Sequence, residues 1–254
     1  MKADRLNAIE QYILEKGTVS IEELCARFQV SKNTIRRDFA ELETRGRVIR
    51  VYGGVSAVQK KEVVPLSIRS MQSVSMKKEI GRLAAQLVKD GDIIYIDSGS
   101  TTAMMVEALG EKKVSIISNG LLIFDFAAKL PNVNLIGLGG VFYPGTCSFF
   151  SPDMINTVRE LHVDKAFLGC TGFTLEGGLF NMSFHEPILK HAVIEQSDRV
   201  VLMADSTKFG KEGLRRVCGF DRVQTFITNA PPTTQVLAYC EAHGMEVLYP
   251  ETAG

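Results

Sequence analysis

The chain has 254 residues, 45% hydrophobic, 8% aromatic and 23% charged, a composition that excludes long disorder and fits one large domain or two of about 150 residues or fewer. Its 29 basic side chains balance 29 acidic ones, so whole-chain charge says nothing of a polyanionic partner. Residues 1–60, however, carry eleven basic against eight acidic groups, and Arg27–Arg50 seven against three, a local basic patch on a neutral protein.

Leu6, Ile9, Ile13 and Leu14 recur at helical spacing, and Gly17 stops the run. Ser20 with Glu23 three residues later is a capping box, opening a second helix that carries Leu24 and Phe28. Ser31 caps a third, with Ile35, Phe39 and Leu42 on one apolar face and Gly46 at its end. Val48–Tyr52 alternates like a strand and turns at Gly53-Gly54. This makes 1–57 one domain; 58–75, containing Pro65, reads as a linker, and 76–254 as a second domain.

In the second domain a helix (Ile80, Leu83, Ala84, Leu87, Val88) ends at Asp90-Gly91-Asp92 and the apolar run Ile93–Ile96 follows. Similar runs come at Val114–Ile117, Val133–Leu138, Lys165–Leu168, Val200–Ala204, Val223–Thr228 and Met245–Tyr249, with helical segments at Leu121–Lys129, Glu186–Ser197 and Thr233–His243. Apolar strands alternating with amphipathic helices predict an α/β fold with a mostly parallel, buried sheet. The five cysteines are scattered, without a C-x-x-C pair, as expected of reduced thiols rather than disulfides or structural zinc. The start lacks an apolar signal core, and the longest charge-free stretch, Leu130–Pro152, holds four Gly and three Pro, unsuited to a membrane helix. A cytoplasmic protein with no membrane contact is expected.

Two helices, a tight turn and a basic second helix predict a helix-turn-helix that reads duplex DNA. Lys32/Arg36 and Asn33/Arg37 are i,i+4 pairs lying off the Ile35–Phe39–Leu42 face. Long cations there reach phosphates, while Asn33, Thr34 and Arg36 suit base edges. The following strand and turn would form a wing with Arg47 and Arg50 as phosphate clamps; the plainer alternative is a solvated basic face. The residues Arg5, Ile9 and Ile13, then Ser31, Thr34, Ile35, Arg36, Arg37, Asp38 and Phe39, resemble the DeoR-type transcriptional repressors of bacterial sugar and polyol operons. Arg50-Val51-Tyr52-Gly53-Gly54 is similar to that family's wing. The expected DNA-binding set is Ser31, Lys32, Asn33, Thr34, Arg36, Arg37, Arg47, Arg50, Tyr52 and Gly53.

Asp97-Ser98-Gly99-Ser100-Thr101-Thr102 follows a strand and opens a helix, where hydroxyls, free N–H groups and the helix dipole favour an anion. No Walker lysine follows, and Gly137-Leu138-Gly139-Gly140 falls short of a dinucleotide fingerprint, so no cofactor is expected. Asp205-Ser206-Thr207-Lys208-Phe209-Gly210 and Gly169-Cys170-Thr171-Gly172 also follow strands. Ligands sit beyond the carboxyl ends of parallel strands, so these loops can share a pocket in which a carboxylate meets sugar hydroxyls and an ammonium meets phosphate. Each alone could be simple strand-end punctuation, but three polar, Gly-containing loops at strand ends favour a shared pocket.

The resemblance extends here, and implies a Rossmann-like sensor domain similar to ribose-5-phosphate isomerase that binds phosphorylated sugars or polyols as inducers. The family's loops fall on Asp97–Thr102 and Asp205–Gly210; Ser118-Asn119 and Gly139-Gly140 also match. Arg69 and Lys77 fit its two basic residues eight apart, with Arg where some members have Lys, and Glu186 and Lys190 fall on an acidic–basic helix pair. The implied effector set is Arg69, Lys77, Asp97, Ser98, Gly99, Ser100, Thr101, Thr102, Asn119, Gly139, Gly140, Thr171, Gly172, Asp205 and Lys208. The details are closest to members serving polyol or inositol breakdown, and a homo-oligomer holding several reading heads is expected. The competing class, a sugar-phosphate isomerase, needs a carboxylate and a second acid/base over the substrate. The D-G-A-D-E string of the pentose isomerases is absent, and the four histidines stand apart in sequence. A non-enzyme is therefore expected.

Overall fold

The computed structural model describes residues 2–16, 18–44, 48–51, 54–57 and 65–250, in two compact units, Met1–Glu62 and Val63–Gly254. The first holds helices α1 (Lys2–Lys16), α2 (Ile21–Phe28) and α3 (Lys32–Thr44), and strands β1 (Thr18–Val19), β2 (Val48–Val51) and β3 (Gly54–Ala57). The caps lie where the sequence puts them. The Glu23 N–H donates to Ser20 Oγ at 3.1 Å and the Thr34 N–H to Ser31 Oγ at 3.2 Å. Between α2 and α3 Gln29 turns left-handed at φ 52° and its N–H closes on the Cys25 carbonyl, which sets the tight helix–helix turn.

Leu6, Ile9, Ile13, Leu24, Ile35, Phe39 and Leu42 meet in one buried core with Val19, Val48 and Val55 of the three strands. The strands form an antiparallel sheet in the order β1-β3-β2, the wing of a winged helix-turn-helix. Gly54 lies so close to β1 that a Cβ would sit 2.3 Å from the Val19 carbonyl oxygen. A further tie has no local signature: Arg5 of α1 donates to both carboxylate oxygens of buried Asp38 on α3, at 2.7 and 3.2 Å.

The second unit is doubly wound. Its strands are β4 (Ile93–Ile96), β5 (Val114–Ser118), β6 (Val133–Gly137), β7 (Val141–Tyr143), β8 (Ser148–Phe150), β9 (Val163–Leu168), β10 (Gly172–Thr174), β11 (Gly178–Asn181), β12 (Ser197–Met203), β13 (Arg215–Cys218), β14 (Thr225–Ile227) and β15 (Glu246–Leu248). Seven of them form one sheet, β15-β14-β12-β9-β4-β5-β6, with every neighbouring pair parallel. Helices α5 (Val74–Gln86), α6 (Ser100–Ala108) and α7 (Leu121–Ala127) pack with Ile94, Ile96, Phe167 and Val201 in one core. Helices α8 (Pro152–Arg159), α9 (Glu186–Glu195) and α10 (Thr234–Ala242) pack with Tyr95, Ala166, Leu168 and Val200 in another. Successive residues of β4 and β9 thus feed opposite faces, which is why these strands read as unbroken apolar runs.

The structure differs from expectation at several places. The span 58–75 holds a helix, α4 (Leu66–Met71), before α5 begins; at six residues it is too short to show a period, and 58–64 lie outside the described residues. The α9 helix ends at Glu195, because Ser197 already pairs with Val163 as the first residue of β12. The β7–β8 hairpin and the small β10-β11-β13 sheet are additions to the expected strands. Among the described residues no helix is long and apolar enough to cross a membrane.

Candidate functional site

The exposed surface of α3 is basic. Lys32, Asn33, Arg36 and Arg37 are solvent-facing, opposite buried Ile35, Asp38, Phe39 and Leu42. Lys32 reaches across to Glu22 of α2 at 2.5 Å, an exposed pair that a phosphate can replace at little cost. Ser31 and Thr34 are engaged in the cap, their hydroxyls 3.0 Å apart, so they set where α3 begins. Of the expected wing residues, Arg47, Tyr52 and Gly53 lie outside the described residues, as does the side chain of Arg50.

The second site lies at the carboxyl edge of the large sheet. Strand order reverses between β4 and β9, so the chain leaving β4 turns to α6 on one face while the loop after β9 leads toward α9 on the other, opening a crevice between them. Lys190 of α9 reaches into it. Its ammonium pairs with Asp97 Oδ2 at 2.8 Å and donates to the Gly169 carbonyl at 2.6 Å and Asn181 Oδ1 at 3.2 Å. The Gly169 N–H donates back to Asp97 Oδ2 at 3.0 Å. Both partners are buried. Burial opposes the charge on Lys190, yet Asp97 and Glu186 hold its pKa above the ordinary lysine value. Asp97 therefore fastens the two diverging loops together through Lys190.

Around this pair stand Arg69 of α4, Lys77 of α5 and Lys208 of the loop after β12. Lys77 is buried; burial, then the Lys208 ammonium, lowers its pKa, with Arg69 adding to the effect and Asp205 opposing it. The Lys208 loop is a 3-10 turn (Ser206–Lys208) capped by Asp205, whose Oδ1 accepts from the Thr207 N–H at 3.0 Å. It is tied to β10 by the Gly210 N–H on the Phe173 carbonyl at 2.9 Å. Asn229 ties it to α5, accepting from the Ser206 N–H at 2.8 Å and donating to Met76 Sδ at 3.1 Å. Arg69 acts at range on both Lys77 and Glu186. Burial raises the Glu186 carboxyl, and Asp97 adds to this against Lys190, the Asn181 amide and Arg69. Burial also pushes the Cys170 thiol up to about 12, leaving it inert as a nucleophile.

The remaining expected residues divide by what their polar atoms do. Thr102 donates to the Asp97 and Gly99 carbonyls at 2.6 and 2.8 Å, closing the loop from inside. Asn119 accepts from Tyr95 OH at 3.2 Å and donates to the Phe149 carbonyl at 2.8 Å, which fixes the β7–β8 hairpin. Gly99 is the N-cap of α6, with Ser100 and Thr101 in its first turn. Ser98 Oγ is buried without a hydrogen-bond partner, so the loop keeps an unmatched hydroxyl. Thr171 is held by its N–H on the Phe180 carbonyl at 2.9 Å, and Gly172 packs on the Lys211 backbone. Gly139 and Gly140 follow β6, two strands from β4, and Gly140 turns at φ 145° against the Phe150 carbonyl. The residues that sequence reasoning left without a role are Lys190, Glu186, Asn181 and Asn229. A lysine on the apolar α9, four residues after a glutamate, is the one signal that could have found the pair.

Among the described residues, His162, Asp164 and Asp198 are close enough to share a metal ion. They lie at the amino ends of β9 and β12, away from this edge. His162 faces Asp198 at 3.3 Å while Asp164 Oδ2 accepts the Ile93 N–H at 2.6 Å.

Comparison with known proteins matches residues 5–61 to the DeoR-like helix-turn-helix domain and residues 72–230 to the DeoR C terminal sensor domain. Over 244 residues the chain is 38% identical to the HTH-type transcriptional regulator IolR of Bacillus subtilis, covering 96% of this chain and 97% of that one. It is 27% identical to the glycerol-3-phosphate regulon repressor of Escherichia coli, covering 97% and 98%. Among solved structures, ribose 5 phosphate isomerase A from Neisseria gonorrhoeae aligns at TM-score 0.38 and 19% identity over 54% of each chain.

Replacing Lys190 by Met strands Asp97 as a buried, unpaired carboxylate, and should cost about 3–5 kcal/mol of stability in urea unfolding. Asp97→Asn combined with Lys190→Met should recover part of the loss. Because the Lys190 pKa is raised in the fold, its contribution is complete below the ordinary lysine value of 10.5 and is lost as pH climbs through the folded value. The gap between wild type and Lys190→Met should thus persist at neutral pH and narrow only above that value. Equal stability of the two proteins at neutral pH would show that the pair holds nothing.

Proposed function

This chain belongs to the DeoR family of transcriptional regulators, and we propose that it represses a sugar or polyol operon and leaves its operator when a phosphate monoester binds the second unit. The observation that carries this reading is the cationic cluster Arg69, Lys77 and Lys208 around the crevice of a parallel sheet, in one chain with an exposed basic recognition helix. Three cations against the flanking Asp205 and Glu186 favour a dianion, while those carboxylates and the unmatched Ser98 hydroxyl suit a polyol. Asp97 is already held by Lys190 and the Gly169 N–H, which ill suits it to serve as the base of an isomerase.

On DNA, Arg36 and Asn33 address base edges while Lys32, Arg37, Arg47 and Arg50 take phosphates, and Tyr52 and Gly53 complete the proposed contact set. A single reading head makes few base contacts, so a homo-oligomer presenting heads at half-site spacing supplies the specificity. An inositol or other polyol phosphate is the favoured inducer, in keeping with the polyol phosphate in the name of the glycerol-3-phosphate regulon repressor. Inducer and operator then weaken each other by linkage, typically by about 1–3 kcal/mol.

Fluorescence anisotropy on an operator obtained by selection from random duplexes, at fixed salt, tests the reading. At least one member of a panel of inositol, polyol, ketose and aldose phosphates should weaken binding by about 5- to 150-fold. Lys208→Ala should bind operator normally and lose the response. If no ester changes the affinity, or if the protein turns an ester over, the reading fails. Arg36→Ala should cost about 1–3 kcal/mol on the operator and much less on scrambled DNA; an equal loss on both would reduce Arg36 to a phosphate contact.

A further inference from the structure

The helix α4 packs against α6 and is capped by the Lys77 side chain. It is six residues long, too short to persist by its own hydrogen bonds, and of its side chains only Leu66 is buried, with Ile68 49% and Met71 80% exposed. The Leu66 N–H donates to the Gly145 carbonyl at 3.1 Å. At its other end the Lys77 ammonium donates to the carbonyl of Arg69, placing a cation at the negative end of the helix. The joint that follows is strained. Ser73 sits at φ 52°, ψ 39°, a left-handed conformation disfavoured for a residue with a Cβ. Only residues 63–65 separate the last residue of the front unit from the first of α4.

Lys77 is thus asked to serve two masters. It belongs to the cationic cluster, and it caps α4. An ammonium has three donors and could in principle serve both, but a phosphate dianion on Lys77 would lie against the carbonyl end of α4, where like partial charges repel. The charge-assisted bond to phosphate is also the stronger of the two. We propose that Lys77 is a latch: its ammonium pins α4 to the second unit, and a bound phosphate group takes that ammonium over, frees α4 and relaxes the strained joint at Ser73. The signal then passes to the front unit through the chain that leads into α4. This rests on the reading of Arg69, Lys77 and Lys208 as a phosphate site, and adds how occupancy of that site leaves it.

Hydrogen–deuterium exchange on the full-length protein tests the latch, with inorganic phosphate as probe, chloride at matched ionic strength as control, and thermal shift to read binding. Amides of Ile68–Gln72 should exchange about tenfold faster or more in saturating phosphate, the loss expected for one charge-assisted hydrogen bond. In Lys77→Met the same amides should exchange fast with or without phosphate. Lys208→Met, which leaves the cap in place and serves if Lys77→Met does not fold, should show slow exchange that phosphate no longer changes. A thermal shift with unchanged or slower exchange in α4 overturns the latch and leaves the phosphate site standing. No thermal shift with phosphate or with any ester of the panel overturns the site and the latch together.

Discussion

The buried ion pair between Asp97 and Lys190 is the constraint from which the second unit is organised. A parallel sheet whose order reverses between β4 and β9 sends two loops apart at that point and would leave their backbone groups facing a gap. The pair closes it: one carboxylate oxygen takes both the Lys190 ammonium and the Gly169 N–H, and Lys190 also satisfies the Gly169 carbonyl. Two charges in such a place are stable only because nearly every donor is matched. In the proposed function, ligand chemistry falls instead to Arg69, Lys77, Asp205 and Lys208 around the pair.

That rim has an imbalance that the core lacks. Lys77 is buried among like charges, a placement that weakens the fold slightly and favours any anion that arrives. The front unit is built on the opposite plan. Its buried acid Asp38 is matched by Arg5, and the exposed cations of α3 lie on a rigid frame of caps and core contacts. Reading DNA calls for a fixed surface, whereas sensing a metabolite calls for a site whose occupancy changes an interaction elsewhere.

Most of the fold was legible in the sequence because its signals are local. The Ser20 and Ser31 caps, the apolar faces of α1–α3 and the seven parallel strands each announce themselves within a few residues. α4, the β7–β8 hairpin and the β10-β11-β13 sheet were not legible, since three- to six-residue elements show no period and owe their form to tertiary partners. The loops after β4 and β12 were found as strand-end glycine and hydroxyl clusters, but the bracing contacts that Asp97 and Thr102 make in the first, and Asn119 makes after β5, have no pattern in the sequence. Lys190 reads in sequence only as half of an acidic–basic helix pair with Glu186; the packing of α9 turns it toward Asp97, 93 positions earlier in the chain. The Arg5–Asp38 tie and the Asn229 bridge are likewise long-range contacts without a local pattern.

The central claim is that phosphate-ester binding in the second unit and operator binding by the first are coupled. Calorimetric titration of the inducing ester into the free protein and into its operator complex tests this most directly. Reciprocal linkage predicts that the ester binds the complex more weakly, by the same factor of about 5 to 150 by which it weakens the hold on DNA. Equal ester affinity for the free protein and the complex would contradict the account.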